Sequence, residues 1–327
     1  MIGPHQGESR ARGWLLITLR SLGALAILGI LIHYLPLHLV NEAIRRIPVT
    51  RFAAILTGYL LAHVIGIGKW RMVVNAAGAQ LNYETSAQCY TGGLFASLFL
   101  PSIIGGDVVR LAVGLRRSPN PAAVLAGNAL DRFLDLSAQA GLVILGLMLL
   151  PGSVPHNVSI DLHKGVVVLG ALFAGGVGLT LLLYRPLFKG RSVRFRRRLG
   201  RLRVALRSGW RKPYVLLFGW MLGTVIQSTF LILTTLLAIS CGLFLPLRVW
   251  LFAWPLAKVV ALLPLTQGGI GLREAALVGL LAPFGAAAHL VLAAGLVWEA
   301  VVIVGGILAG IFAFLLRRNE TVSKKNS

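Results

Sequence analysis

Ionised residues set in apolar surroundings mark where this 327-residue chain could do chemistry. In NALDRFLDL, residues 128–136, Asp131 and Asp135 stand one helical turn apart and share a face, with Asn128 a turn earlier and Arg132 one position round. A helix entering at Pro121 carries Asp131 about 15 Å inward, near the middle of about 30 Å of hydrocarbon. Each such charge costs about 2.5–3.5 kcal/mol to insert, so all three require partners. A second pattern offers them. PSIIGGDVVR (101–110) and PLTQGGIGLR (264–273) are both Pro-x3-Gly-Gly-x3-Arg, and Pro264 follows Pro101 by 163 residues. The first contributes Gly105, Gly106, Asp107 and Arg110; the second contributes Gly268, Gly269 and Arg273, with Glu274 directly after. Lys258 precedes the second motif in WPLAKVVALLP, and Glu299, within AAGLVWEAVVIVGG, follows Asp135 by 164 residues.

The chemistry these types support is anion binding. Guanidinium forks match phosphate oxygens and stay charged when buried, so Arg110, Arg132 and Arg273 are the expected ligand-holding cations, with Asn128 beside them. Half-helix N-termini after Gly105-Gly106 and Gly268-Gly269 would add backbone donors. Asp107, Asp131, Asp135, Lys258, Glu274 and Glu299 would balance those charges or carry a coupling proton. A plainer reading stays open, in which the ion pairs only fix packing and the glycine pairs only permit close helix contact.

The elements that position these residues follow from composition. The chain is 57% hydrophobic and 13% charged, with a mean hydropathy of +0.81, which places it among polytopic helical membrane proteins. Full spans are expected at 14–34, 52–69, 121–150, 164–184, 213–240 and 286–316, the first an uncleaved helix. Two more apolar segments, 84–100 and 247–264, run into the glycine motifs and resume as short helices, so both are expected to re-enter the membrane. The net charge of +22 is then a topology signal and no mark of nucleic acid. Twelve basic residues and no acid lie between Arg185 and Lys212, which makes that loop, and with it both termini, cytoplasmic. Lys69, Arg71, Arg116 and Arg117 are expected on the same side. Residues 35–51, with Arg45, Arg46 and Arg51, read as an interfacial amphipathic helix on the outer side. Each half of a single membrane domain, about 14–150 and 164–316, thus holds two spans, a broken hairpin and a further span. An odd number of crossings per half makes the second an inverted copy of the first, with the broken segments meeting near the midplane.

Cys89 and Cys241 read as small core residues, and His33, His63 and His289 are isolated, without metal-ligand spacing. No nucleophile is paired with a base and no nucleotide fingerprint is present, so no enzyme activity, cofactor or metal is expected. Asn157-Val158-Ser159 fits a glycosylation sequon on the outer loop.

LFASLFLPSIIGGDVVRLAVGLRR, NALDRFLDL and PLTQGGIGLREAALVGLL, in this order, resemble the flippase-like integral membrane family, whose best-known member is the N-terminal membrane domain of bacterial lysylphosphatidylglycerol synthase. GKWRMVV (68–74) resembles the family's Arg-Trp-Arg segment, with Lys69 in place of the first Arg. The resemblance spans about residues 14–316. It implies movement of an anionic or modified phospholipid, a hopanoid or a polyprenyl-linked lipid between leaflets of a bacterial inner membrane. Partners would be membrane lipids and a lipid-modifying enzyme. The synthase's soluble aminoacyltransferase domain has no counterpart before Ser327, so synthesis is not expected. Two other functions fit the same residues: an ion-coupled transporter of a small anion, and a non-transporting membrane partner of a lipid-modifying or glycosyltransferase enzyme. Neither substrate nor oligomeric state is written in these residues.

Overall fold

The computed structural model describes residues 37–100, 105–150, 193–261 and 271–326. The expected spans 14–34 and 164–184, Gly268, Gly269 and the 157–159 sequon lie outside the described residues. Within them every regular element is helical. The chain runs α1 (Leu37–Arg45), α2 (Val49–Ala76), α3 (Tyr83–Ser97), α4 (Gly105–Arg117) and α5 (Pro121–Met148). It continues through α6 (Val193–Trp210), α7 (Pro213–Ser240), α8 (Leu247–Val260), α9 (Leu272–Leu281), a 3-10 turn (Ala282–Phe284) and α10 (Ala288–Asn326).

Local chemistry explains the boundaries. Proline occupies the start of α5 and α7, where its missing N–H has no intrahelical partner to lose. Asn82 caps α3 by accepting from Thr85 N at 2.8 Å. The two broken segments end as helices at Ser97 and Val260 and resume at Gly105 and Leu272, as the glycine motifs predict. Val49–Ala76, Pro213–Ser240 and Ala288–Arg318 are long and apolar enough to cross a membrane. The 28-residue α5 matches α2 and α7 in length but carries Asp131, Arg132 and Asp135 in its middle. Outward-facing Leu217, Phe218, Met221, Ile307 and Phe314 leave an apolar exterior that only lipid would tolerate.

The helix order of the first half returns in the second. Helices of 28, 15, 13 and 28 residues (α2 to α5) are followed by helices of 28, 14, 10 and 39 residues (α7 to α10). Packing is reciprocal. The two long opening helices, α2 and α7, lie against each other, α3 packs on α10, and α8 packs on α5. Glycine permits the tightest crossing within a hairpin: a Cβ on Gly106 would stand 2.5 Å from the Gly93 carbonyl oxygen, and one on Gly93 would stand 2.8 Å from that of Gly106. The main apolar core lies between α2, α7, α8, α9 and α10, around Trp250, Phe252, Trp254, Leu231 and Leu292.

Two expectations change. Residues 185–212, read as a loop, contain helix α6, because Ala205 and Gly209 form a small-residue stripe that seats on α5 at Leu130 while Arg201, Arg203 and Arg207 stay exposed. Lys69, expected at the cytoplasmic edge with Arg71, is only 3% exposed, because α2 continues seven residues beyond the expected end of its span. The amphipathic helix expected over 35–51 is α1, with Ala43 buried and Glu42 and Arg46 paired outside at 2.6 Å.

Candidate functional site

Helices α2, α4 and α5 bring the charges of the first half together. Lys69 Nζ, from α2, donates to Asp131 Oδ1 at 2.7 Å and Asp135 Oδ1 at 2.6 Å, bridging the two acids of α5. Their helical spacing is what lets one ammonium reach both. From the same turn of α5, Arg132 reaches across to α4, where its Nη2 donates to Asp107 Oδ1 at 2.8 Å, and its Nη1 lies 3.6 Å from Asp135 Oδ2. Asp107 is also 3.5 Å from Arg110 Nη1, within range for attraction though no hydrogen bond forms. The Arg110 guanidinium lies over Tyr90, 4.1 Å from the ring centroid, and near Trp70 at 5.8 Å. Three cations and three carboxylates thus stand in one largely buried cluster and balance in charge, with Arg110 held to Asp107 by charge alone and Arg132 the most exposed of the six.

The second half builds a tighter cluster. Arg273 Nη2 donates to Glu274 Oε1 at 2.6 Å and to Glu299 Oε1 at 2.7 Å, and its Nε to Glu274 Oε1 at 3.1 Å. Glu274 Oε2 accepts from Gly271 N at 2.8 Å, where φ of +81° suits glycine and starts α9. Trp254 flanks the guanidinium at 5.4 Å. Gly295 on α10 leaves the room for Glu274, since a Cβ there would lie 2.7 Å from its Cγ. Lys258 stands apart from both clusters: its Nζ donates to Gln227 Oε1 at 2.7 Å and sits 5.1 Å from the Phe230 ring. Among the described residues it pairs with no carboxylate.

Two adjoining cavities lie between these clusters. The smaller, about 160 Å³, is bordered by Lys69, Asp107, Arg110, Asp131, Arg132, Asp135 and Lys258. The larger, about 430 Å³, is bordered by Arg273, Glu299 and Lys258 and otherwise by rings and aliphatic chains, among them Tyr59, Phe99, Trp254, Trp298, Ile303 and Ile307. His63, Leu94, Ser97, Phe230 and Lys258 form walls of both. Phe99 is 60% exposed and Ile303 and Ile307 are also exposed, so the apolar cavity reaches the outer face of the bundle.

Of the residues expected to form the site, Asp107, Arg110, Asp131, Arg132, Asp135 and Lys258 border the polar cavity, and Arg273, Glu299 and again Lys258 border the apolar one. Glu274 lies behind Arg273 and borders neither. Gly106 borders the polar cavity, whereas Gly105 is buried against Leu100. Asn128 sits behind the wall, accepting from Trp70 Nε1 at 3.0 Å. Gly268 and Gly269 fall outside the described residues. Sequence reasoning passed over Lys69, His63, Tyr90 and Gln227 as cavity-lining groups. Their signal was polarity inside otherwise apolar helices, the same signal that drew attention to Asp131.

Comparison with known proteins adds one match. The family model for the lysylphosphatidylglycerol synthase TM region covers residues 17–310. No curated protein matches the chain, and no solved structure does.

Proposed function

The chain belongs to the lysylphosphatidylglycerol synthase TM-region family, and from that premise we propose that it translocates a lipid between leaflets through the paired cavities. The single observation that carries this reading is their shared wall: a charged chamber of about 160 Å³ adjoins an apolar cleft of about 430 Å³ that reaches the outer face. An amphiphile needs both compartments. Its headgroup replaces lost hydration with the network around Asp107, Arg110 and Arg132, while an acyl chain follows Phe99, Ile303 and Ile307 toward the bilayer.

The same proposal takes the two halves as inverted repeats, with six full spans and two re-entrant hairpins in a bacterial inner membrane. Support comes from the returning helix order and from the reciprocal packing of α3 on α10 and α8 on α5. The arginine-covered α6 lies on the cytoplasmic side with both termini, and rocking of one half against the other alternates access. The protein acts as a carrier without catalysis.

Reconstitution into liposomes with headgroup-labelled lipids tests the reading. Leaflet accessibility of a phospholipid, an aminoacylated phospholipid or a polyprenyl lipid should change at least about tenfold faster than in protein-free vesicles. Folded protein that accelerates none of the three contradicts translocation and leaves the role of a membrane partner to another enzyme. An ion-coupled carrier of a small soluble anion would use the charged chamber alone and would be indifferent to obstruction of the apolar cleft.

A further inference from the structure

Two of the three arginines expected to hold a ligand are engaged by acids. Arg132 already meets Asp107 and Asp135 through both terminal nitrogens, which leaves its Nε without a partner among the described residues, and Arg273 is shared by Glu274 and Glu299. Around the polar cavity three other groups keep polar atoms to spare. Arg110 is 5% exposed, and its Nε and Nη1 are buried without a hydrogen-bond partner among the described residues. The acid nearest to it, Asp107, already accepts from Arg132. His63 Nε2 is also buried and has no partner among the described residues, while its Nδ1 lies 3.2 Å from the Tyr90 hydroxyl. Among the described residues Lys258 has only a neutral amide, Gln227, as its hydrogen-bond partner. Unmatched donors in a buried cavity cost free energy until something accepts from them.

We propose that His63, Arg110 and Lys258 form one anion site in the polar cavity, and that it holds the phosphoryl oxygens of a lipid headgroup. The three side chains come from α2, α4 and α8 and border the same space. A tetrahedral phosphoryl group presents oxygens in several directions and so meets donors on three different helices, which a planar carboxylate does less well. The neighbours set each donor. Tyr90 holds Arg110 by its ring and His63 by its hydroxyl, and when that hydroxyl donates to Nδ1, Nε2 carries the proton that faces the anion. Gln227 fixes Lys258.

The site occurs once, although the chain is nearly repeated. Trp254 follows Tyr90, and Gln227 follows His63, each by 164 residues, and Arg273 follows Arg110 by 163. In the second half, however, the guanidinium is taken by two glutamates, and the equivalent of the histidine serves Lys258. The anion therefore binds at the first half's arginine, with Lys258 reaching it from the second half, and the apolar cleft beside it receives the chain. The lipid source of the anion rests on the translocation reading; the anion chemistry does not.

The test uses the full chain in dodecyl maltoside, which carries no phosphate, and measures binding of dioctanoylphosphatidylglycerol, dioctanoylglycerol and inorganic phosphate by calorimetry. Phosphatidylglycerol should bind at least about tenfold tighter than dioctanoylglycerol, and Lys258→Gln and His63→Gln should each weaken it about tenfold or more. Equal binding of the two lipids, or folded variants within twofold of the parent, overturns the site. Should either variant fail to fold, the lipid comparison on the unmodified chain decides. Inorganic phosphate competing as well as the lipid overturns the lipid source. Leaflet exchange measured on the same preparations separates the two readings: exchange with headgroup-blind binding removes this site and keeps translocation, whereas headgroup-selective binding without exchange does the reverse.

Discussion

Replacing Lys69 with methionine tests whether the charges are buried as a unit. The ammonium is 3% exposed and bridges Asp131 and Asp135 at 2.7 and 2.6 Å, so Lys69→Met keeps most of the stem's packing and leaves two carboxylates facing each other. Removing one partner of a buried ion pair costs about 3–5 kcal/mol. At about 2–4 °C per kcal/mol, that corresponds to a fall of roughly 6–20 °C in apparent melting temperature. Asp135 keeps a second cation, Arg132 at 3.6 Å, whereas Asp131 has no other hydrogen-bond donor among the described residues. Lys69→Met combined with Asp131→Leu removes one charge of each sign and should recover more than half of the loss. The assay is the fraction of monodisperse protein remaining after a heating series in detergent, read by gel filtration. A single variant within about 2 °C of the parent, or a double variant no better than the single, refutes the claim that this network is desolvated and mutually compensated.

Three further outcomes follow from individual contacts. Trp70→Phe keeps a ring near Arg110 but strands Asn128 Oδ1, and should cost about 1 kcal/mol in the same heating assay. Gly127→Ala places a methyl group against the Val74 backbone where α5 crosses α2, and should cost about 1–3 kcal/mol, whereas alanine at Gly92, which faces open space, should be nearly neutral. Glu274→Gln should destabilise more than Glu299→Gln, because Glu274 holds both Arg273 and the Gly271 N–H while Glu299, among the described residues, meets Arg273 alone; the ranking of the two melting temperatures checks it.

Much of the architecture is legible because breaks in membrane helices need unusual residues. Proline and paired glycines announce that helices ending at Ser97 and Val260 start again at Gly105 and Leu272, and charges inside apolar stretches announce the chamber. The pairing of Arg132 with a facing hairpin is also legible, since a buried guanidinium must find an acid and the hairpin carries Asp107. What hides is the role of a residue whose type has two common uses. Lys69 reads as a topology marker because hydropathy alone does not distinguish a helix end from a buried turn. Asn128 shares the acids' face but spends its oxygen on Trp70. Helix α6 is hidden by its own arginines, since the face that seats it is a narrow run of Leu202, Ala205, Leu206 and Gly209. His63 is a single polar atom pair in an apolar helix, and only the position of Tyr90 gives it a direction.

The most direct measurement of the central claim is the rate at which a headgroup-labelled phospholipid crosses proteoliposome membranes containing the parent chain or Ile303→Trp. Ile303 borders the apolar cleft and not the charged chamber, so the larger ring obstructs the path of the acyl chain and leaves the charged network intact. Faster exchange than in protein-free vesicles, reduced at least about tenfold by the tryptophan at unchanged melting temperature, is the predicted result. Exchange that proceeds equally with the cleft filled, or is absent from the folded parent, contradicts the account.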